Sequence, residues 1–189
     1  SIWRKQLRGL GLDTATIETL LDAEVEDEIV RYLGVIEAVI DDSPRAKKYA
    51  DWVINVEVPT RREGSVTVND ESRKLAIFKA VYDLHLAGKV HSNAARALLI
   101  EMLRNDLLPD NIEKYAAEQG LLQVSDEDEI AKIVADVLSE NPKASQDVRS
   151  GEMKAIGFLV GQAMSKSAGK ANPGVVQQII KKQLGLKTY

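Results

Sequence analysis

Apolar residues recur along the chain at three- and four-residue intervals, and alternation is nearly absent. Such intervals put apolar side chains on one helix face, whereas alternation marks a half-buried strand. Only Ser65-Val66-Thr67-Val68 alternates, which is too short to anchor a sheet. The pattern therefore predicts helices throughout. Asp13 caps a short helix bearing Ile17, Leu20 and Leu21. Val25, Ile29, Leu33, Ile36 and Ile40 predict a helix over 25–40. Ser43-Pro44 reads as an N-cap followed by proline at the first helical position. The helix it opens carries Ala46, Tyr49, Trp52, Val53 and Val56, and should stop before Pro59, because proline disfavours helical geometry in the residue ahead of it. Residues 60–69 are polar with one glycine and read as an exposed connection.

The next helix holds Leu75, Phe78, Val81, Tyr82, Leu84 and Leu86 and ends at Gly88, a residue suited to a left-handed C-cap. Ser92 caps a helix with Ala95, Leu98, Leu99, Met102 and Leu103; Pro109-Asp110 starts another that ends at Gly120. Val124-Ser125-Asp126-Glu127-Asp128-Glu129 marks a domain boundary. Ser125 can cap there, and the four acids suit the positive end of a helix dipole. They do not suit a divalent metal, which needs convergent ligands. The expected architecture is all-α: a helical bundle domain over 1–123, then a small three- to four-helix tail over 124–189.

The tail has its own style. It holds Gly151, Gly157, Gly161, Gly169, Gly174 and Gly185, six of the 12 glycines. Asn141-Pro142 and Asn172-Pro173 each start a helix. Between them, 152–167 forms a helix with Ile156, Leu159, Val160, Ala163 and Met164 inward. Gly157 and Gly161 share one face of it, and each costs ~1 kcal/mol of helix propensity relative to alanine. Close approach of another helix is the expected reason. The last helix runs from about Pro173 to Leu184.

Composition removes several kinds of chemistry. The 189 residues include no cysteine, which excludes disulfides, thiolate nucleophiles and Cys-built zinc sites. Only His85 and His91 are available as histidine ligands. No H-E-x-x-H, Gly-x-Ser-x-Gly elbow or phosphate loop occurs: Gly169-Lys170 is followed by Ala171, and Gly9-Leu10-Gly11 lacks a third glycine. No catalytic residue and no metal ligand set is expected. No apolar run approaches the ~20 residues of a membrane span, and no secretory signal opens the chain, so no membrane partner is expected and the cytoplasm is the expected compartment.

Charge is uneven. The net charge is −4, but residues 1–129 carry 16 Lys/Arg against 25 Asp/Glu, and residues 130–189 carry 9 against 4. Lys154, Lys166, Lys170 and Arg149 surround a polar loop, 165–173, that leads into a helix N-terminus. Backbone amides at such an end attract phosphate, and lysines add sequence-independent affinity. A plain solvated loop is the alternative. Phe158 is the only aromatic of this region besides Tyr189, which favours a folded RNA read by shape over a stacked single strand.

Three spaced elements carry a family resemblance: Glu140-Asn141-Pro142-Lys143, then Gly151-Glu152-Met153-Lys154-Ala155-Ile156-Gly157-Phe158-Leu159-Val160-Gly161-Gln162, then Gly169-Lys170-Ala171-Asn172-Pro173. In this order they closely resemble the C-terminal tail of the GatB subunits of the tRNA-dependent aspartyl/glutamyl amidotransferases, a tail type shared with freestanding YqeY proteins. Gly120-Leu121-Leu122-Gln123-Val124-Ser125-Asp126 looks like the approach to that tail. Gly88-Lys89-Val90-His91-Ser92, followed by Ala95, looks like a turn of the family's helical domain. Tyr49-Ala50-Asp51-Trp52-Val53 resembles the preceding helix and favours GatB over the shorter YqeY.

The resemblance implies a helical domain followed by a YqeY-like tail. The intact protein would belong to a glutamine-dependent carbon–nitrogen ligase that converts Glu-tRNA(Gln) or Asp-tRNA(Asn) to Gln-tRNA(Gln) or Asn-tRNA(Asn). Its ATP- and magnesium-using domain has no counterpart here, so this part would hold no cofactor and would not itself be catalytic. Glutaminase and accessory subunits would join through the missing region. This part would hold tRNA(Gln) or tRNA(Asn), its tail reaching the outer corner and D-loop. Lys166, Lys170 and Asn172, with Arg149 and Lys154 nearby, are the expected tRNA contacts, and Gly157 and Gly161 the expected packing residues. A helical interaction module docking an acidic protein is the alternative.

Overall fold

The computed structural model describes residues 2–27, 29–64, 66–123 and 127–187. Among them no strand forms beyond an isolated bridge residue at Ala171. The elements are α1 (Ile2–Gly9), α2 (Thr14–Glu26), α3 (Gly34–Glu37), α4 (Ser43–Trp52), a π-helical turn (Val53–Glu57), α5 (Val58–Arg62), α6 (Glu71–Leu86), α7 (Ser92–Asn105), α8 (Ile112–Glu118), α9 (Glu127–Glu140), α10 (Pro142–Arg149), α11 (Lys154–Lys166) and α12 (Pro173–Gln183). The all-α expectation holds. Two compact units are present: Ser1–Ala87 with Ser92–Ala116, and Gly88–His91 with Ala117–Tyr189. The boundary residues Val124, Ser125 and Asp126, and Ser65 of the alternating stretch, lie outside the described residues.

In the first unit Asp13 caps α2 as expected: its Oδ1 accepts the Thr16 amide at 2.7 Å. The helix expected over 25–40 does not form. Asp27 Oδ1 accepts the amides of Ile29 and Val30, and Glu24 Oε2 accepts those of Tyr32 and Leu33. Side-chain acceptors thus take the donors that a helix would use. Val25 and Ile29 are 82 % and 76 % exposed in consequence. Cap positions also shift slightly. Asp42, not Ser43, caps α4, and Asn111, not Pro109 or Asp110, caps α8 through the Lys114 amide at 3.0 Å. Ser92 is the first residue of α7.

The helical path does not stop before Pro59 either. The Val58 amide donates five residues back, to the Val53 carbonyl. This wider turn relieves the clash between a proline ring and the carbonyl four residues earlier. Pro59 then sits in the first turn of α5, where a missing N–H costs little. Residues 60–69 are correspondingly not a simple exposed connection, since Thr60 and Val68 are buried. The core here is aromatic: Tyr49 lies edge-on to Phe78 and Tyr82 at 5.3 and 5.8 Å, and Arg45 stacks on Tyr82 at 4.4 Å. It also contains charge, because Glu57 and Lys74 are fully buried.

The second unit is built differently. α11 packs against α9, α10 and α12 around an aliphatic core of Ile130, Val134, Leu159, Val176, Ile180 and their neighbours. Gly88 and Gly120 take positive φ, +75° and +69°, as expected of glycines just past helix ends. Ala168 and Gly169 turn the chain out of α11 at φ +54° and +74°, and the Gly169 amide closes on the Met164 carbonyl at 2.8 Å.

Candidate nucleic-acid interface

The five residues expected to contact tRNA do not form one cluster. Lys154 opens α11 and Lys166 closes it. Twelve helical steps of ~1.5 Å put them ~18 Å apart. Arg149, the exposed last residue of α10, precedes Lys154 across the short turn at Gly151. Lys170 and Asn172 follow Lys166.

Two of the groups at the far end, Lys166 and Asn172, already have internal work. Lys166 Nζ lies 2.9 Å from Glu140 Oε1. The hydrogen bond and charge of that carboxylate hold the Lys166 ammonium above the ordinary lysine range. Asn172 caps α12, with Oδ1 accepting the amides of Gly174 at 2.9 Å and Val175 at 3.2 Å. Those amides are the donors that the sequence offered to a phosphate. Lys170 is half-buried beside Gly120, where an added Cβ would sit 3.7 Å from its Nζ.

The start of α10 lies beside the Lys166 end, since Glu140, the partner of Lys166, directly precedes Asn141. Asn141 precedes α10, but its side chain gives no cap; its Nδ2 donates to the Val137 carbonyl at 2.8 Å. Lys143 is exposed in the first turn of α10. A shallow groove of about 490 Å³ runs beside it, lined by Asn141, Lys143 and Phe158 but also by the carboxylates Glu140 and Asp147. Phe158 is 51 % exposed, an aromatic ring presented to solvent rather than to the core.

The solvent face of α11 reads Lys154, Gly157, Phe158, Gly161, Gln162 and Ser165, all exposed, and α11 contains no carboxylate. The expectation that Gly157 and Gly161 admit a neighbouring helix is overturned. A Cβ built at either position meets nothing within 4 Å. The two glycines leave helix backbone bare toward solvent, at the propensity cost noted above and with no packing inside the unit to offset it. Glycine is the residue that lets another molecule approach backbone closely. The glycines and the flanking cations are legible in the sequence, but among the described residues no helix packs over them. Phe158 was legible only as an aromatic; its exposure follows from Leu159 taking the core position.

A family described as GatB domain matches residues 34–184. The B subunit of the aspartyl/glutamyl-tRNA(Asn/Gln) amidotransferase of Finegoldia magna is 32 % identical over 148 residues, covering 78 % of this chain and 31 % of that protein. The protein of the same name in Geotalea uraniireducens is 35 % identical over 172 residues, 86 % of this chain and 33 % of its own length. The one in Thermotoga petrophila is 32 % identical over 163 residues, with coverage of 86 % and 33 %. This chain therefore spans about a third of the length of these curated relatives. No described helix is long and apolar enough to cross a membrane. With 151 consecutive positions matched, through both compact units, the chain belongs to the GatB domain family.

Proposed function

We propose that this chain is the tRNA-holding C-terminal part of a GatB protein of an aspartyl/glutamyl-tRNA amidotransferase, and that it acts by positioning tRNA rather than by catalysis. ATP, magnesium and the bond-forming step belong, in this reading, to the remainder of the GatB protein, and ammonia to a glutaminase partner. The observation that carries the reading is the exposed face of α11, a helix with no carboxylate of its own, with Lys154 and Arg149 at one end and two bare glycine positions along it; Glu140 and Asp147 border it on the α10 side. Cations attract the sugar–phosphate backbone without regard to sequence, and bare helix backbone lets it come close. A folded RNA suits such a surface, because shape and backbone are what it can read. Lys166 and Asn172 support the fold of the tail, and Arg149 and Lys154 are the cations that touch RNA.

The test is filter binding of deacylated tRNA(Gln) and tRNA(Asn) to this chain across a salt series, with a DNA duplex of matched length as the competitor. Neutralising ~2–4 phosphates predicts a log–log salt slope of a few units, and tRNA should be preferred over the duplex. Arg149→Ala with Lys154→Ala should flatten the slope. Equal binding to both polyanions would favour a basic end that docks acidic partners of any kind, and would sink the tRNA reading.

A further inference from the structure

The segment that follows α2 is held in an unusual way. Among the described residues, the amides of 29, 30, 32 and 33 all donate to side chains. Ile29 and Val30 donate to Asp27 Oδ1, each at 2.9 Å. Tyr32 and Leu33 donate to Glu24 Oε2 at 2.6 and 2.9 Å. The Arg31 carbonyl accepts from Lys74 Nζ at 2.6 Å, and the Tyr32 hydroxyl donates to Asp27 Oδ2 at 3.1 Å. Two carboxylates and one ammonium therefore fasten the stretch at three points. Val30, Tyr32 and Leu33 are pressed inward at 6 %, 5 % and 3 % exposure.

Charge lies beneath it. Lys74 is 1 % exposed and Glu57 fully buried, 3.1 Å apart, with the Lys74 ammonium 5.6 Å from the Tyr32 ring centre. Glu57 Oε2 also accepts from Arg61 Nε at 2.8 Å. Arg61 in turn bonds the Val68 carbonyl and Asn69 Oδ1. Glu57 Oε1 has no hydrogen-bond partner among the described residues. A buried carboxylate oxygen without a donor is costly, and water reaching it would recover part of that cost. Opening the segment admits that water and rehydrates the ammonium. Both gains oppose the loss of three buried apolar side chains, so the open state lies closer in free energy than for a segment covering a purely apolar core.

We propose that residues 29–33 are a strap that opens as a single unit, latched by Glu24, Asp27 and Lys74, while the surrounding helices stay formed. Amide hydrogen exchange of the full chain, followed by NMR, tests this with reciprocal variants. Glu24→Ala removes the amide acceptor of Tyr32 and Leu33, together with the long, exposed ion pair to Arg31, and leaves the acceptor of Ile29 and Val30 in place. Asp27→Ala removes that of Ile29 and Val30 and also frees the Tyr32 hydroxyl, a loss that Tyr32→Phe reproduces alone as the control. A unitary strap predicts that each variant speeds exchange at all four amides together, by about tenfold or more for one lost charged acceptor. Amides in the middle of α2 and α6 should keep their rates. Acceleration confined to the pair whose acceptor was removed would overturn the proposal, as two independent turns would behave that way. Unchanged rates, or equal acceleration through α2 and α6, would also overturn it.

Discussion

The two units use charge in opposite ways. The first buries it: Glu57 and Lys74 lie within its core, and Arg45 is held by Asp42, Asp83, the Tyr49 hydroxyl and the face of Tyr82. The second keeps its buried positions apolar, with only Ser145 and Ser167 as buried polar side chains among the described residues, and leaves its cations at the surface. A buried pair fixes conformation at a cost in desolvation, whereas an exposed cation contributes little to stability but remains available to a partner. In this molecule the unit with the internal ion cluster also has irregular segments, residues 29–33 and 66–70, which that cluster ties down through Lys74 and Arg61. The unit with the surface cations is regular, and its anomaly is a bare strip of helix facing water.

The largest expected effect falls on the buried cluster. Glu57→Leu leaves both Lys74 and Arg61 without their shared carboxylate, and should destabilise the first unit by about 3–5 kcal/mol in urea denaturation. No single charge removal in the second unit should approach that. A loss under about 1 kcal/mol would mean that water already screens the cluster.

Next come the two asparagine–proline starts of the second unit. Asn172→Ala removes the side chain that accepts two amides and should cost about 1 kcal/mol. Asn141→Ala removes only a donor to the Val137 carbonyl and should cost less. Equal losses on thermal melting would show that capping does not separate them. Gly157→Ala is expected to act with the opposite sign, stabilising the unit by up to about 1 kcal/mol, because open space surrounds the position. A lower melting temperature would show that a neighbour does press on it.

The smallest effect is the pH response, and it should divide the units. Hydrogen bonds hold three carboxyls of the first unit below the ordinary carboxylate range: Asp13 through Thr16, Glu18 through Arg4, and Asp27 through the Val30 amide. A carboxyl with a depressed folded pKa contributes stability above its unfolded value near about 4, and that contribution is lost as pH falls through the folded value. Lys166 is shifted the other way. Its contribution is full below about 10.4 and is lost as pH rises through the raised value. Helix signals from α2 should therefore weaken in acid before those of α11, and the link between α11 and α9 should weaken first in base. Identical acid midpoints for the two units would erase the distinction.

What could be read from the sequence was local. Asp13, Asn172, Gly88 and Gly120 mark helix ends because a cap acts within three or four residues. The apolar periodicity over 25–40 was misleading because the competitors for the backbone, Glu24 and Asp27, are ordinary surface residues until the chain folds back on Lys74. Pro59 stayed in a helical path because the π-turn ahead of it moves the clashing carbonyl, which no single-residue preference anticipates. At the candidate interface the cations were legible as positions, but not their partners: Glu140 lies 26 residues before Lys166. The glycines announced a cost in helix propensity without naming what approaches them.

The proposed approach of tRNA is to the bare face of α11. It is tested most directly by measuring tRNA affinity and melting temperature together for the Gly157→Ala, Gly161→Ala double variant. Two methyl groups on an open helix face should raise the melting temperature, and should weaken tRNA binding about tenfold or more by holding the RNA backbone away, the equivalent of about 1.4 kcal/mol. A more stable variant that binds tRNA as tightly as the original chain would contradict the account.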